Sequence, residues 1–88
     1  MSRVHVRIRG RVQGVFFRAE ARARAESLGI AGWIRNAEDG SVEAAFEGDE
    51  ERVQSMVEWC RRGPAGAQVD DVEVESEEPT GETGFRVR

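Results

Sequence analysis

Residues 10–18 read Gly-Arg-Val-Gln-Gly-Val-Phe-Phe-Arg, and they hold the chemistry most easily read from this chain. Two glycines four positions apart allow a tight turn with positive φ and let an anion come close to the main-chain amides. The stretch follows the alternating segment Val4-His5-Val6-Arg7-Ile8-Arg9 and precedes a run with helical spacing. A strand, a glycine loop and a helix start make an anion cradle, with successive N–H groups pointing one way and the helix dipole behind them. Arg18 closes the loop with a planar fork of donors that matches phosphate oxygens. A glycine pair alone equally suits an ordinary strand–helix turn, so the rest of the chain must decide.

The elements that would position this loop follow from periodicity. Val4, Val6 and Ile8 alternate with His5, Arg7 and Arg9, which predicts a first strand with one buried face. Phe17, Ala21, Ala25 and Leu28 recur at helical spacing, and Gly29 suits a stop, so a helix is expected over about 18–28. Glu20 with Arg24 and Arg22 with Glu26 are i,i+4 pairs. A second strand is expected over Ala31–Asn36, with Ile34 facing inward and Trp33 and Arg35 outward. Asp39-Gly40 is a hairpin signal, and Val42, Ala44 and Phe46 mark a third strand. Asp49 caps a second helix whose inner stripe is Val53, Met56, Val57 and Cys60, and Gly63-Pro64 ends it. Residues 65–68 read as a loop, Val72 and Val74 as a fourth strand, 79–84 as a loop, and Phe85 to Arg88 as a short last strand.

This order is βαββαβ with a short extra C-terminal strand. Each helix has one apolar stripe and each strand one apolar face. The expected fold is therefore an α+β, ferredoxin-like two-layer sandwich, with both helices on one face of a mostly antiparallel sheet. Residues 1–88 are read as one domain. The open sheet face would carry His5, Arg7, Arg9, Trp33, Arg35, Glu43 and Glu47 as a solvated set of cross-strand ion pairs. Phe17 is assigned to the core, whereas Phe16 suits either the core or a shield over the loop.

Composition narrows the function classes. The net charge is −4, all thirteen basic residues are arginine, and residues 70–82 carry seven acidic side chains and no basic one. This argues against a general nucleic-acid binder, and without lysine neither Schiff-base nor lysine–phosphate chemistry is open to the chain. The single Cys60 cannot form an internal disulfide, and Met1-Ser2-Arg3 runs straight into the first strand with no secretory pattern. No apolar run nears the roughly 20 residues of a membrane span. A cytoplasmic monomer is the expectation.

Two blocks carry a resemblance: Gly10–Arg18, and Gly32-Trp33-Ile34-Arg35-Asn36-Ala37-Glu38-Asp39-Gly40-Ser41-Val42-Glu43. With their order, their spacing and the βαββαβ frame, the sequence resembles the acylphosphatase family over nearly its whole length. The resemblance implies hydrolysis of the carboxyl–phosphate bond of small acyl phosphates, with no metal and no cofactor. It places the phosphate-binding arginine at Arg18 and the water-positioning asparagine at Asn36. The phosphate loop falls on the amides of Val12, Gln13, Gly14, Val15, Phe16 and Phe17. Inorganic phosphate is then product and competitive inhibitor. The chain departs from many relatives in its Ala19-Glu20-Ala21 turn, where a hydroxyl residue is common at Ala21, and in ending on Arg88 instead of an aromatic residue.

The chemistry agrees with so sparse a site. A carboxylate leaves as a stable anion, so no general acid is required, and catalysis reduces to neutralising phosphoryl oxygens and aiming a water in line. A carboxamide can accept from that water and donate to a phosphoryl oxygen. Glu38 and Asp39 read as turn residues, not metal ligands. Two other readings compete. One is a non-catalytic phosphate or carbamoyl-phosphate binding module. The other is a single-stranded RNA-binding domain, which would need aromatic platforms that the central strands do not offer.

Overall fold

A computed structural model describes residues 1–88 as five strands and two helices. They are β1 (Ser2–Arg11), α1 (Phe17–Ser27), β2 (Ala31–Asn36), β3 (Val42–Gly48), α2 (Glu50–Arg62), β4 (Gln68–Glu77) and β5 (Phe85–Val87). One sheet holds all strands in the order β4-β1-β3-β2-β5. Neighbours are antiparallel except β5, which lies parallel to β2 on the edge. This is the expected ferredoxin-like α+β arrangement.

The helices cover one face of the sheet, α1 over β2 and β5 and α2 over β1 and β4. From the sheet, Val6, Ile8, Ile34, Val42, Ala44 and Phe46 point into the core; Ala21 and Ala25 of α1 and Val53, Met56 and Cys60 of α2 meet them. The small residues of α1 let that helix lie close to the sheet. Phe17 anchors its start, edge-on to Trp59 at 5.2 Å between ring centroids. Asp49 caps α2 as expected, accepting from the Glu51 amide at 3.0 Å. Arg22 pairs with Glu26, whereas Arg24 turns instead over the Trp59 ring. No helix is long and apolar enough to cross a membrane.

Two readings of the sequence need correction. The fourth strand begins at Gln68, inside the stretch taken for a loop, because its pairing is set by β1 and not by its own alternation. The register shifts between Arg9 and Gly10, where Gly10 has φ 134°. A Cβ at Gly10 would stand 2.1 Å from the Gln68 carbonyl oxygen, so only glycine allows β4 to run this close. The second correction concerns Glu47, assigned to the solvated face and found only 1% exposed. The 79–84 segment folds back over this end of the open face, and Glu47 accepts from the amides of Thr80, Gly81 and Glu82 and from Arg3. The remainder of that face matches expectation. His5 Nε2 lies 2.5 Å from Glu43, Arg7 and Arg35 pair with the same carboxylate, and Arg88 stacks over Trp33 at 4.4 Å.

Candidate active site

The chain rises along β1, turns through residues 12–16, and returns along α1 before rising again in β2. The start of α1 and the end of β2 therefore share one edge of the sheet. There the structure brings together Val12, Gly14, Phe16, Phe17, Arg18 and Asn36, with Ala19, around a cleft of about 260 Å³. Of the residues expected at the site, Gln13 and Val15 do not line this cleft.

The loop is held by its side chains. Val12 and Phe17 are buried in the core, and Val15 packs against its edge. The Gln13 carboxamide donates to the carbonyl oxygens of Ala37 at 2.8 Å and Ser41 at 2.9 Å. It thereby staples the loop to the hairpin that follows Asn36. Inside that hairpin, Asp39 accepts from the Ser41 amide and hydroxyl, and Ala37 donates to the Ser41 carbonyl. These Ser41 bonds hold the Asp39 carboxyl below its ordinary range. The turn that carries Asn36 is thus fixed from both sides.

With its side chains so engaged, the loop leaves its backbone free. Gly14 has φ 75°, and Phe16, the chain's one non-glycine residue with positive φ, has φ 62°. No amide of residues 12–19 donates any of the backbone hydrogen bonds formed outside helices and strands. No side chain caps α1. A helix start without a cap keeps donors and a positive dipole end available to an anion.

Arg18 and Asn36 complete the edge. Arg18 is half-buried in the cleft and takes part in none of the protein's ion pairs, whereas Arg3, Arg7, Arg9 and Arg35 are all engaged by carboxylates. Asn36 ends β2 opposite Val42, and its Oδ1 is buried without a hydrogen-bond partner. An orphaned buried carbonyl oxygen costs about 1–3 kcal/mol, so a fold that keeps one has a use for it. Cys60 is no competing nucleophile: burial pushes its thiol up to about 12. The arrangement can grip an anion with amides and one guanidinium and offer a hydrogen-bond acceptor beside it.

By fold and cleft, then, the chain is a ferredoxin-like α+β protein with a cleft at one sheet edge, lined by an uncapped helix start, Arg18 and Asn36. The acylphosphatase family model matches residues 4–87. The acylphosphatase of Roseiflexus sp. (strain RS-1) is 57% identical over 99% of this chain and 95% of its own. That of Haloarcula marismortui is 54% identical over 99% and 96%. In three dimensions the crystal structure of acylphosphatase from Bacillus subtilis superposes with a TM-score of 0.96 at 35% identity, over 100% of this chain and 99% of that one. The chain belongs to the acylphosphatase family, whose reaction is the hydrolysis of acyl phosphates.

Sequence reasoning missed three features of this edge. The Gln13 staple spans 24 and 28 positions to its two acceptors and leaves no local pattern. The left-handed conformation of Phe16 is hidden because the residue is not glycine. Ala19 joins the lining only because the first turn of α1 faces the cleft.

Proposed function

We propose that this chain hydrolyses small acyl phosphates to a carboxylate and inorganic phosphate by direct attack of water on phosphorus. The amides of residues 12–17 and the Arg18 guanidinium hold the phosphoryl oxygens. The Asn36 carboxamide accepts a hydrogen bond from the attacking water through Oδ1 and steers it in line with the leaving oxygen. One P–O bond forms to water as the P–O bond to the acyl oxygen breaks. The acyl group leaves as a carboxylate, and the protons of water pass to phosphate and solvent. No protein group has to exchange a proton.

The observation that carries this reading is the unpartnered Asn36 Oδ1 in the same cleft as the unpaired Arg18. A dianionic phosphoryl group repels nucleophiles, so fixed donors that neutralise its oxygens lower the barrier without reorganising. Each such donor is typically worth about 10²–10³ in rate. Neither metal nor cofactor enters the scheme. Competitive inhibition by inorganic phosphate follows, because product and substrate share the same donors.

The test is acetyl-phosphate hydrolysis with and without EDTA, in the parent chain and in Arg18→Ala and Asn36→Ala. Turnover indifferent to EDTA and lost in both variants supports the reading. Tight phosphate binding by calorimetry with no turnover would instead make the chain a phosphate-binding module. Residues 1–88 are read as one domain acting as a monomer in the cytoplasm, in keeping with the lone buried thiol of Cys60. Nucleic acid is not among the proposed partners: on the open face the Trp33 ring is already covered by Arg88.

A further inference from the structure

Phe16 carries two penalties at one position. Its backbone is left-handed, a conformation that bulky side chains rarely adopt, and the residue is 79% exposed. The other loop side chains have evident work. Val12 and Phe17 sit in the core, Val15 packs on its edge, and Gln13 is bonded to the hairpin. Only the Phe16 ring is left without a partner, and it lies on the cleft that holds Arg18 and Asn36. A glycine there would meet the backbone requirement without strain and would expose no apolar surface. The ring is thus not explained by folding.

We infer that the Phe16 ring is the contact for the acyl part of the substrate, and that it favours acyl phosphates whose acyl group has an aromatic or otherwise apolar face. The inference rests on the phosphoryl site proposed above. If loop amides and Arg18 hold the phosphoryl group, in-line attack sends the acyl carboxylate away from the water, toward the cleft mouth where an exposed side chain waits. An aromatic acyl group laid on or against the ring removes apolar surface of both partners from water. A methyl group covers little of the ring and gains little. The left-handed turn sets the direction of the Phe16 Cα–Cβ bond, so the contact needs no rearrangement of the loop backbone on binding.

The test compares kcat/KM for benzoyl phosphate and for acetyl phosphate in the full chain and in Phe16→Gly, Phe16→Ala and Phe16→Tyr. The measured quantity is the benzoyl-to-acetyl ratio. Differences in leaving-group reactivity cancel when that ratio is compared between variants. Phe16→Gly suits the left-handed backbone and guards against a collapsed loop in the alanine variant. The ratio should fall about tenfold in the glycine and alanine variants and be kept by tyrosine. A ratio that stays constant across all four proteins, or rises when the ring is removed, overturns the inference while leaving the phosphoryl site standing. Failure of the parent chain to hydrolyse either compound would overturn the phosphoryl site and this contact with it.

Discussion

The two ends of β3 treat their polar groups in opposite ways. At the Glu47 end, a buried carboxylate has both oxygens engaged, by Arg3 and by three successive amides of the 80–82 segment. At the other end, Asn36 keeps a buried oxygen without a partner, Arg18 has no counter-ion, and the amides ahead of α1 bond to nothing in the protein. On the proposed reading, the first end is arranged for stability and the second for a ligand. A folded chain can leave a few donors and acceptors unmet where binding will meet them, provided the rest of the structure holds them in place. The fold's stability should therefore depend on Glu47 and its activity on Arg18 and Asn36, with little overlap.

The largest effect is expected at Arg18. Arg18→Ala should lower kcat/KM for acetyl phosphate by about 10³-fold or more and weaken phosphate inhibition, since in the proposed mechanism the guanidinium serves binding and turnover alike. Steady-state kinetics with phosphate as inhibitor checks both. Asn36→Ala should lower kcat by about 10²-fold with KM nearly unchanged, because steering water does not bind substrate. The same variant should melt at or above the parent temperature, for it removes an orphaned acceptor worth about 1 kcal/mol or more. An Asn36→Ala chain that melts well below the parent would break the comparison, since it would show the carboxamide to be structural.

Glu47→Gln is the converse. The side chain keeps its shape but turns an NH₂ toward amide donors. The melting temperature should fall by an amount on the order of 10 °C. Meanwhile kcat/KM, measured where both chains are folded, should stay within about twofold. The pH dependence has a definite sign. The amides of Thr80, Gly81 and Glu82 and the Arg3 guanidinium hold the folded Glu47 carboxyl near about 2, against an ordinary value of 4.5. Its stabilisation is complete above the ordinary value and drains away as pH falls from 4.5 toward about 2. Acid unfolding of the parent should be steep across that window and flatter in Glu47→Gln. The residual slope would come from Asp39, Glu43 and Glu73, whose carboxyls are also held low: Ser41 bonds act on Asp39, burial pulls Glu43 upward but its His5 and Arg35 bonds outweigh it, and Arg9 acts on Glu73.

The order of elements and the core were legible because alternation in β1 and β3 and the stripes of α1 and α2 are local signals. The loop between β1 and α1 was legible for a related reason: glycine spacing, strand, helix and arginine are contiguous. What could not be read depends on distant partners. Glu47 sits at an outward position of β3 like Glu43, and nothing beside it announces that residues 80–82 will fold over it. The early start of β4 is set by contact with Gly10 across the sheet. Phe16 and Phe17 are neighbours of one type, yet one is in the core and the other at the cleft, because the left-handed turn separates their directions.

Gln13 is where the comparison is sharpest, although the expected effect is the smallest. It belongs to the active edge by position and to the Glu47 pattern by bonding: its two donor hydrogens meet the Ala37 and Ser41 carbonyls. It touches the site only through the loop and the hairpin it joins. Gln13→Ala should therefore show a mixed result, a loss of about tenfold in kcat and a drop of about 5 °C in melting temperature. Gln13→Glu separates bonding from size. Both of its partners are acceptors, so an ionised carboxylate has nothing to donate and faces two carbonyl oxygens. It should be worse than alanine near neutral pH, and its deficit relative to the parent should narrow as pH falls and the carboxyl gains a proton to donate. If Gln13→Glu and Gln13→Ala behave alike at every pH, the staple is not what couples the loop to Asn36, and the site end of the molecule is held by the packing of Val12, Val15 and Phe17 alone.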